Sequence, residues 1–354
     1  MKKQLRLVII LLAISTLMSS AAAAVKKGAK TAGSGKEIAS SVNPVLWRSP
    51  GDIRSRNLFF GPGGEKHAPH TIFTFVKEDM EGTNPKFDVH DENGVKWKVK
   101  MGAEARPETV ASRLVWAVGY SANEDYFMPV LHVENLPAHL HRGQNLVGPG
   151  GTFQNVRLKR YLKDEKKVAD WQWRSNPFTD TQELNGLRVM MALISNWDVK
   201  DENNAIYEEK HPEASKAPEH IYMISDLGAS FGTTGRSWTH AGSKGNLKAY
   251  SHSQFISKVT ERYVDFNFPT RPAVIFIFNP QEFISRLELR WIGKKIPCKD
   301  ATWMGQLLAQ LSPGQVQDAF RAAGYSSEEV EGFSKVVEGR ITQLSKLSEW
   351  QAGH

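Results

Sequence analysis

Residues 195–207 read SNWDVKDENNAIY, and residues 225–232 read SDLGASFG. The first stretch sets Asp198, Lys200 and Asn203 within one short loop; the second places Asp226 directly before Leu227 and Gly228. Phosphoryl transfer needs a carboxylate to orient or deprotonate the attacking group and a cation near the moving phosphoryl. It also needs oxygen ligands for a hard divalent ion. Mg²⁺ accepts one or two carboxylates and an amide oxygen, then completes its shell with phosphates and water. A loop after a buried helix can carry the first three side chains on one rim, and Asp226 after a short hairpin supplies a further ligand. Leu227 anchors that segment and Gly228 lets the backbone turn.

The flanking sequence has the patterning this arrangement requires. Leu184, Leu187, Met191 and Ile194 share one stripe, which predicts a buried helix over 181–195 ending at the loop. Residues 205–207 and 221–224 read as short strands joined by the charged, Pro-containing EEKHPEASKAPEH. Upstream, TIFTFV (71–76), FDVHD (87–91) and VKWKVKM (95–101) are strand-like, the last two linked by a tight DENG turn at 91–94. In the third of these, Trp97, Val99 and Met101 alternate with Lys96, Lys98 and Lys100, so one face is apolar and the other carries three ammonium groups. Pro107 opens a helix with Val110, Leu114, Ala117 and Val118 on one side and Gly119 as its stop. YFMPVLHV (126–133) is a further strand, interrupted by Pro129. The chain ends in helices, with cap signals at Ser312–Pro313 and Ser326–Glu329 and a last pattern from Val330 to Leu347.

In element order over about residues 70–230, these motifs resemble the protein-kinase-like superfamily. WDVKDEN resembles the catalytic loop D-x-K-x-x-N, SDLG resembles the D-F-G metal-binding segment with Leu for Phe, and VKWKVK resembles the third strand with its phosphate-gripping lysine. The resemblance implies an α+β, two-lobed kinase-like fold with a small strand-rich N-lobe and a larger helical C-lobe. It makes Asp198 the catalytic carboxylate, Lys200 the loop lysine and Lys100 the nucleotide-binding lysine with Glu108 as its partner. Asn203 and Asp226 become metal ligands, with Asn204 in place of Asn203 if the register slips by one. ATP with Mg²⁺ or Mn²⁺ is the implied cofactor pair, and a protein, lipid or small molecule is the acceptor. The connection KEDMEGTNPK has none of the G-x-G-x-x-G pattern, only eight residues separate Lys100 from Glu108, and Lys98 stands where a small apolar residue often roofs the adenine. These departures resemble outlying branches such as HipA-type, phosphoinositide or secreted atypical kinases.

Composition narrows the setting. Lys2, Lys3 and Arg6, the apolar run Leu7–Met18 and the small residues of SSAAAA (19–24) read as an export signal cleaved after Ala23 or Ala24. Its removal would take three cations and lower the formal charge from +7 to +4. No basic stripe with interleaved aromatics points to nucleic acid, and no later apolar run is long enough to span a membrane. The single cysteine, Cys298, excludes an internal disulfide framework. The expected division is a signal peptide at 1–24, a flexible leader and extension at 25–69, an N-lobe at 70–135 and a C-lobe at 136–354. The expected location is the periplasm or the extracellular space. Two rivals stand beside the phosphotransferase: a non-catalytic kinase-like module binding nucleotide, lipid or protein, and a serine hydrolase using Ser230 of GASFG (228–232).

Overall fold

The computed structural model describes residues 42–82, 84–163, 165–209, 218–233, 243–268 and 280–347. The expected signal peptide, nearly all of the leader and the middle of the 208–220 hairpin connection lie outside the described residues. Chain order begins with β1 (Asn43–Val45), β2 (Phe73–Asp79), β3 (Lys86–Asp91) and β4 (Lys96–Lys100), followed by α1 (Ala105–Ala117). Then come β5 (Asp125–Glu134), β6 (Thr152–Arg160), β7 (Glu165–Ala169) and α2 (Gln182–Leu193). The hairpin strands β8 (Asn204–Glu209) and β9 (Glu219–Ile224) precede α3 (Leu247–Ser251), β10 (Ile256–Val259) and β11 (Tyr263–Phe266). The remainder is α4 (Pro280–Glu288), β12 (Ile296–Pro297), α5 (Cys298–Leu308), α6 (Pro313–Arg321) and α7 (Ser327–Ser345).

Five strands close into a barrel in the order β2-β3-β4-β6-β5. The alternation in β4 explains which way it faces: Trp97 and Val99 are buried with Phe73, Phe87, Val89, Phe153 and Leu158 inside the barrel, while the lysines stand outside. Asp91 fixes the β3–β4 turn by accepting from the backbone N–H groups of Asn93 and Val95 and from Trp97 Nε1. Pro129, which has no N–H to give, falls in a gap of the β5–β6 ladder opposite Asn155, whose φ is +52°. The expected two-lobed α+β architecture is therefore present, a small strand-rich lobe preceding a larger helical one. Its boundary is later than expected. Residue 135 falls within the barrel lobe, because β6 is the strand that pairs with both β4 and β5, and the lobe runs on to Arg160.

The second part of the expected extension at 25–69 packs onto the helical lobe. From Asn43 it is ordered: β1 pairs parallel with β9, and Leu46, Ile53 and Leu58 are buried in the second core. That core is helical, joining α1, α2, α5, α6 and α7 through residues such as Leu187, Met190, Met304, Phe320 and Phe333. The sequence cap signals are realised as full capping boxes at Ser312/Gln315 and Ser326/Glu329. Arg340 of α7 is 2% exposed and donates to Ala192 O, Leu193 O, Ser195 Oγ and Ser253 Oγ at 2.7–3.2 Å. It thereby satisfies carbonyls at the C-terminal end of α2, where helices leave acceptors open, and fixes the point from which the 195–203 loop departs.

The β2–β3 connection is staked rather than free. Arg142 donates to Met80 O at 2.9 Å and to Glu81 O at 3.3 Å, while the backbone N–H groups of His141 and Arg142 reach the Glu78 carboxylate. Met101 N donates to Pro85 O on the other side of the turn. Among the described residues no helix is long and apolar enough to cross a membrane.

Candidate active site

The SNWDVKDENNAIY and SDLGASFG segments meet chiefly at Asn203. Asn203 donates its amide Nδ2 to Asp198 O at 2.5 Å, and its backbone carbonyl accepts from Ser225 N at 2.8 Å and Asp226 N at 3.3 Å. Further bonds run parallel to this junction: Trp197 N to Ala229 O at 3.2 Å and Phe231 N to Ile194 O at 2.7 Å. Asn203 thus ties the Asp198 loop to the Asp226 segment from both its backbone and its side chain. With the amide nitrogen engaged, the amide oxygen is the end suited to a cation. Asn204 takes another course: it is wholly buried and donates to Trp171 O at 2.9 Å.

Asp226 folds into a turn of its own, Gly228 N donating to its Oδ1 at 3.0 Å. Gly228 is required by space as well. A Cβ there would lie 2.7 Å from Glu104 Cβ and 2.8 Å from Glu104 Oε2. Leu227 is buried in the helical core.

Across from Asp226 stands Lys100 at the end of β4, its Nζ 3.2 Å from Asp226, 2.9 Å from Glu108 and 2.8 Å from Glu104. Sequence reasoning named Lys100, Glu108 and Asp226. It missed Glu104, although the i, i+4 spacing to Glu108 on α1 places both on one face and was the signal available. It also missed Arg157 of β6, which holds Glu108 at 2.8 Å and Asp125 at 3.2 Å. Lys244 closes the set by pairing with the other oxygen of Glu104. The ammonium of Lys100 is therefore shared by three carboxylates, and Glu108 is shared by two cations.

Electrostatics follow from this packing. Burial works against the charged form of Lys100, yet Glu108, Asp226 and Glu104 more than offset it and hold the ammonium well above its usual range. Burial likewise opposes the Asp226 carboxylate, but Lys100 and the Gly228 N–H bring its pKa down to about 2. Its side chain keeps 38% exposure, so an ionised carboxylate presents one open side. Glu104, Glu108 and Asp226 each offer an oxygen within 4.8 Å of the others, but Lys100 already occupies their common contact.

Lys200 lines an open groove of about 630 Å³ with Trp173, Arg174, Glu202, Glu288 and Trp291. Trp173 N donates to Asp201 Oδ1 at 3.1 Å, holding the loop's far end, and Arg174 stacks on Trp291 at 4.4 Å. Ser230, the nucleophile of the hydrolase alternative, is wholly buried within the segment that pairs with the 195–203 loop.

No protein-family model matches the chain, and no curated protein matches it. Kinases are among the solved structures with some likeness. The proinflammatory kinase CtkA of Helicobacter pylori shares 13% identity at a TM-score of 0.44, over 80% of this chain and 98% of that one. A Golgi casein kinase shares 12% identity at a TM-score of 0.30, over 77% and 75% of the two chains. The Golgi casein kinase with Mn/ADP bound shares 11% identity at a TM-score of 0.33, over 79% and 73%.

Proposed function

We propose that this chain is an exported kinase-like phosphotransferase that moves a phosphoryl group from ATP to an oxygen nucleophile with the help of Mg²⁺ or Mn²⁺. The observation that carries the reading is the Asn203 junction, which brings the Asp198 loop and Asp226 together beneath Lys100. Asp198 accepts the acceptor hydroxyl's proton as the new P–O bond forms and the bond to the leaving phosphate breaks. Lys200 stands two residues further along the same loop and offsets negative charge on the transferred group. Lys100, aimed by Glu108, binds donor phosphates. Asp226 and the Asn203 amide oxygen are hard donors of the kind Mg²⁺ or Mn²⁺ takes, and the open side of Asp226 fits such a role. A divalent ion bound there would neutralise phosphate charge. Export rests on the leader sequence at 1–24.

The test separates binding from turnover. Asp226→Ala should abolish the metal-dependent thermal shift caused by ATP. Asp198→Ala should keep that shift and lose turnover by roughly 10²-fold or more, since a general base contributes about that much. Wild-type protein that binds nucleotide and metal but transfers nothing would leave the non-catalytic binding module as the better reading. N-terminal sequencing of the product secreted by a bacterial host should begin at Ala24 or Val25.

A further inference from the structure

The outer face of the barrel beside Lys100 is built almost wholly from charge. Strand register sets Lys86 opposite Lys100, Asp88 opposite Lys98, Arg157 opposite Lys100 and Lys159 opposite Lys98. Residues two apart on a strand share a face, so Lys96, Lys98 and Lys100 form one ridge, about 13 Å from first to last. Lys98 and Lys86 both reach Asp79, the latter at 3.5 Å, and Lys96 reaches Asp88 at 2.8 Å. Tyr161, just beyond β6, donates to Asp88 at 3.0 Å and has the Lys96 ammonium 4.3 Å above its ring. Lys159 lies 3.3 Å from the Tyr207 hydroxyl of β8, so this face extends to the second lobe. Burial and the neighbouring Lys98 and Lys100 charges depress the Lys86 pKa despite Asp79, a sign of crowded cations.

A flat, apolar nucleobase laid on this face would strip water from ammonium and carboxylate groups and replace few of the hydrogen bonds they lose. A phosphate chain replaces that water with charge-assisted hydrogen bonds. Resting on the phosphotransferase reading above, we propose that the ridge Lys96–Lys98–Lys100, with Lys86 and Lys159, binds the phosphate chain of a polyphosphate-type donor, and that the base of a nucleotide contributes little to its binding. The same chemistry is offered by inorganic polyphosphate and by the phosphate tail of a nucleotide.

The experiment uses the full chain with Mn²⁺ and reads binding by calorimetry for ATP, inorganic tripolyphosphate and adenosine. The expected result is tripolyphosphate affinity within threefold of ATP or tighter, and no measurable adenosine binding. Lys98→Gln and Lys159→Gln, which keep a hydrogen-bonding group while removing charge, should each weaken tripolyphosphate at least fivefold; Lys258→Gln on β10 should leave it unchanged. Circular dichroism confirms that each variant is folded. If ATP binds with metal and tripolyphosphate does not, or if the ridge variants bind as wild type, the ridge proposal is overturned while the phosphotransferase reading stands. If neither phosphate compound binds with any divalent metal, both are overturned.

Discussion

Gly228→Ala tests whether the turn at Asp226 is set by its contact with α1. The glycine does not adopt a positive φ, so backbone strain does not enter, and the perturbation is one methyl group. That methyl would sit 2.7 Å from Glu104 Cβ, 2.8 Å from its Oε2 and 2.9 Å from its Cδ. Rotation about χ1 can move the carboxylate but not Cβ, so either the start of α1 or the Asp226 turn must shift by several tenths of an ångström. Overpacking of this kind costs about 1–3 kcal/mol. The shift also draws Glu104 away from Lys100 and Lys244, to which it is paired. Urea unfolding should show a lower midpoint at unchanged slope, which reads as lost stability rather than a changed denatured state. Glu104→Gly removes all three crowding atoms, so the cost of Gly228→Ala should nearly vanish in that background, giving a coupling of at least about 1 kcal/mol. Equal costs in the two backgrounds would refute the argument.

Other perturbations probe separate parts of the molecule. Arg340→Met leaves several buried carbonyls without their donor and should lower stability by about 3 kcal/mol or more in urea unfolding, since each unsatisfied buried group costs about 1–3 kcal/mol. A loss under 1 kcal/mol would show that water replaces the guanidinium. For Asp226 the folded pKa of about 2 lies below the unfolded value of about 3.9. Its contribution is therefore present above pH 4 and disappears as the pH falls toward 2. Asp226→Asn should flatten the stability profile in that window; an unchanged slope would mean that the carboxylate gains nothing from Lys100.

Periodicity and short motifs made much of this legible. The alternation in β4 determines which residues line the barrel and which stand outside, and the stripe over 181–195 anticipated α2 to within two residues at either end. The charge network was only half visible. Lys100 and Glu108 are eight residues apart, whereas Arg157 reaches the site because β6 pairs with β4, a fact of register that no local pattern encodes. Lys244 approaches from yet another segment, and nothing near it in sequence announces Glu104 as its partner. The lobe boundary was misplaced for the same reason: β6 reads as an unremarkable stretch until its neighbours on both sides are known. Asn203 and Asn204 were indistinguishable as letters, and the bond to Trp171 separates them.

The staked β2–β3 turn has a kinetic consequence. Arg142 holds Met80 O and Glu81 O on one arm of that connection and Met101 N holds Pro85 O on the other, so among the described residues it is not poised to fold down over a ligand on the lysine ridge. Release of a polyanion of the proposed kind would then be governed by charge rather than by the opening of a flap. Residence time should shorten steadily as salt is added, because screening at about 0.1 M already acts over about 10 Å. A flap-limited site would instead release its ligand at a rate nearly indifferent to ionic strength.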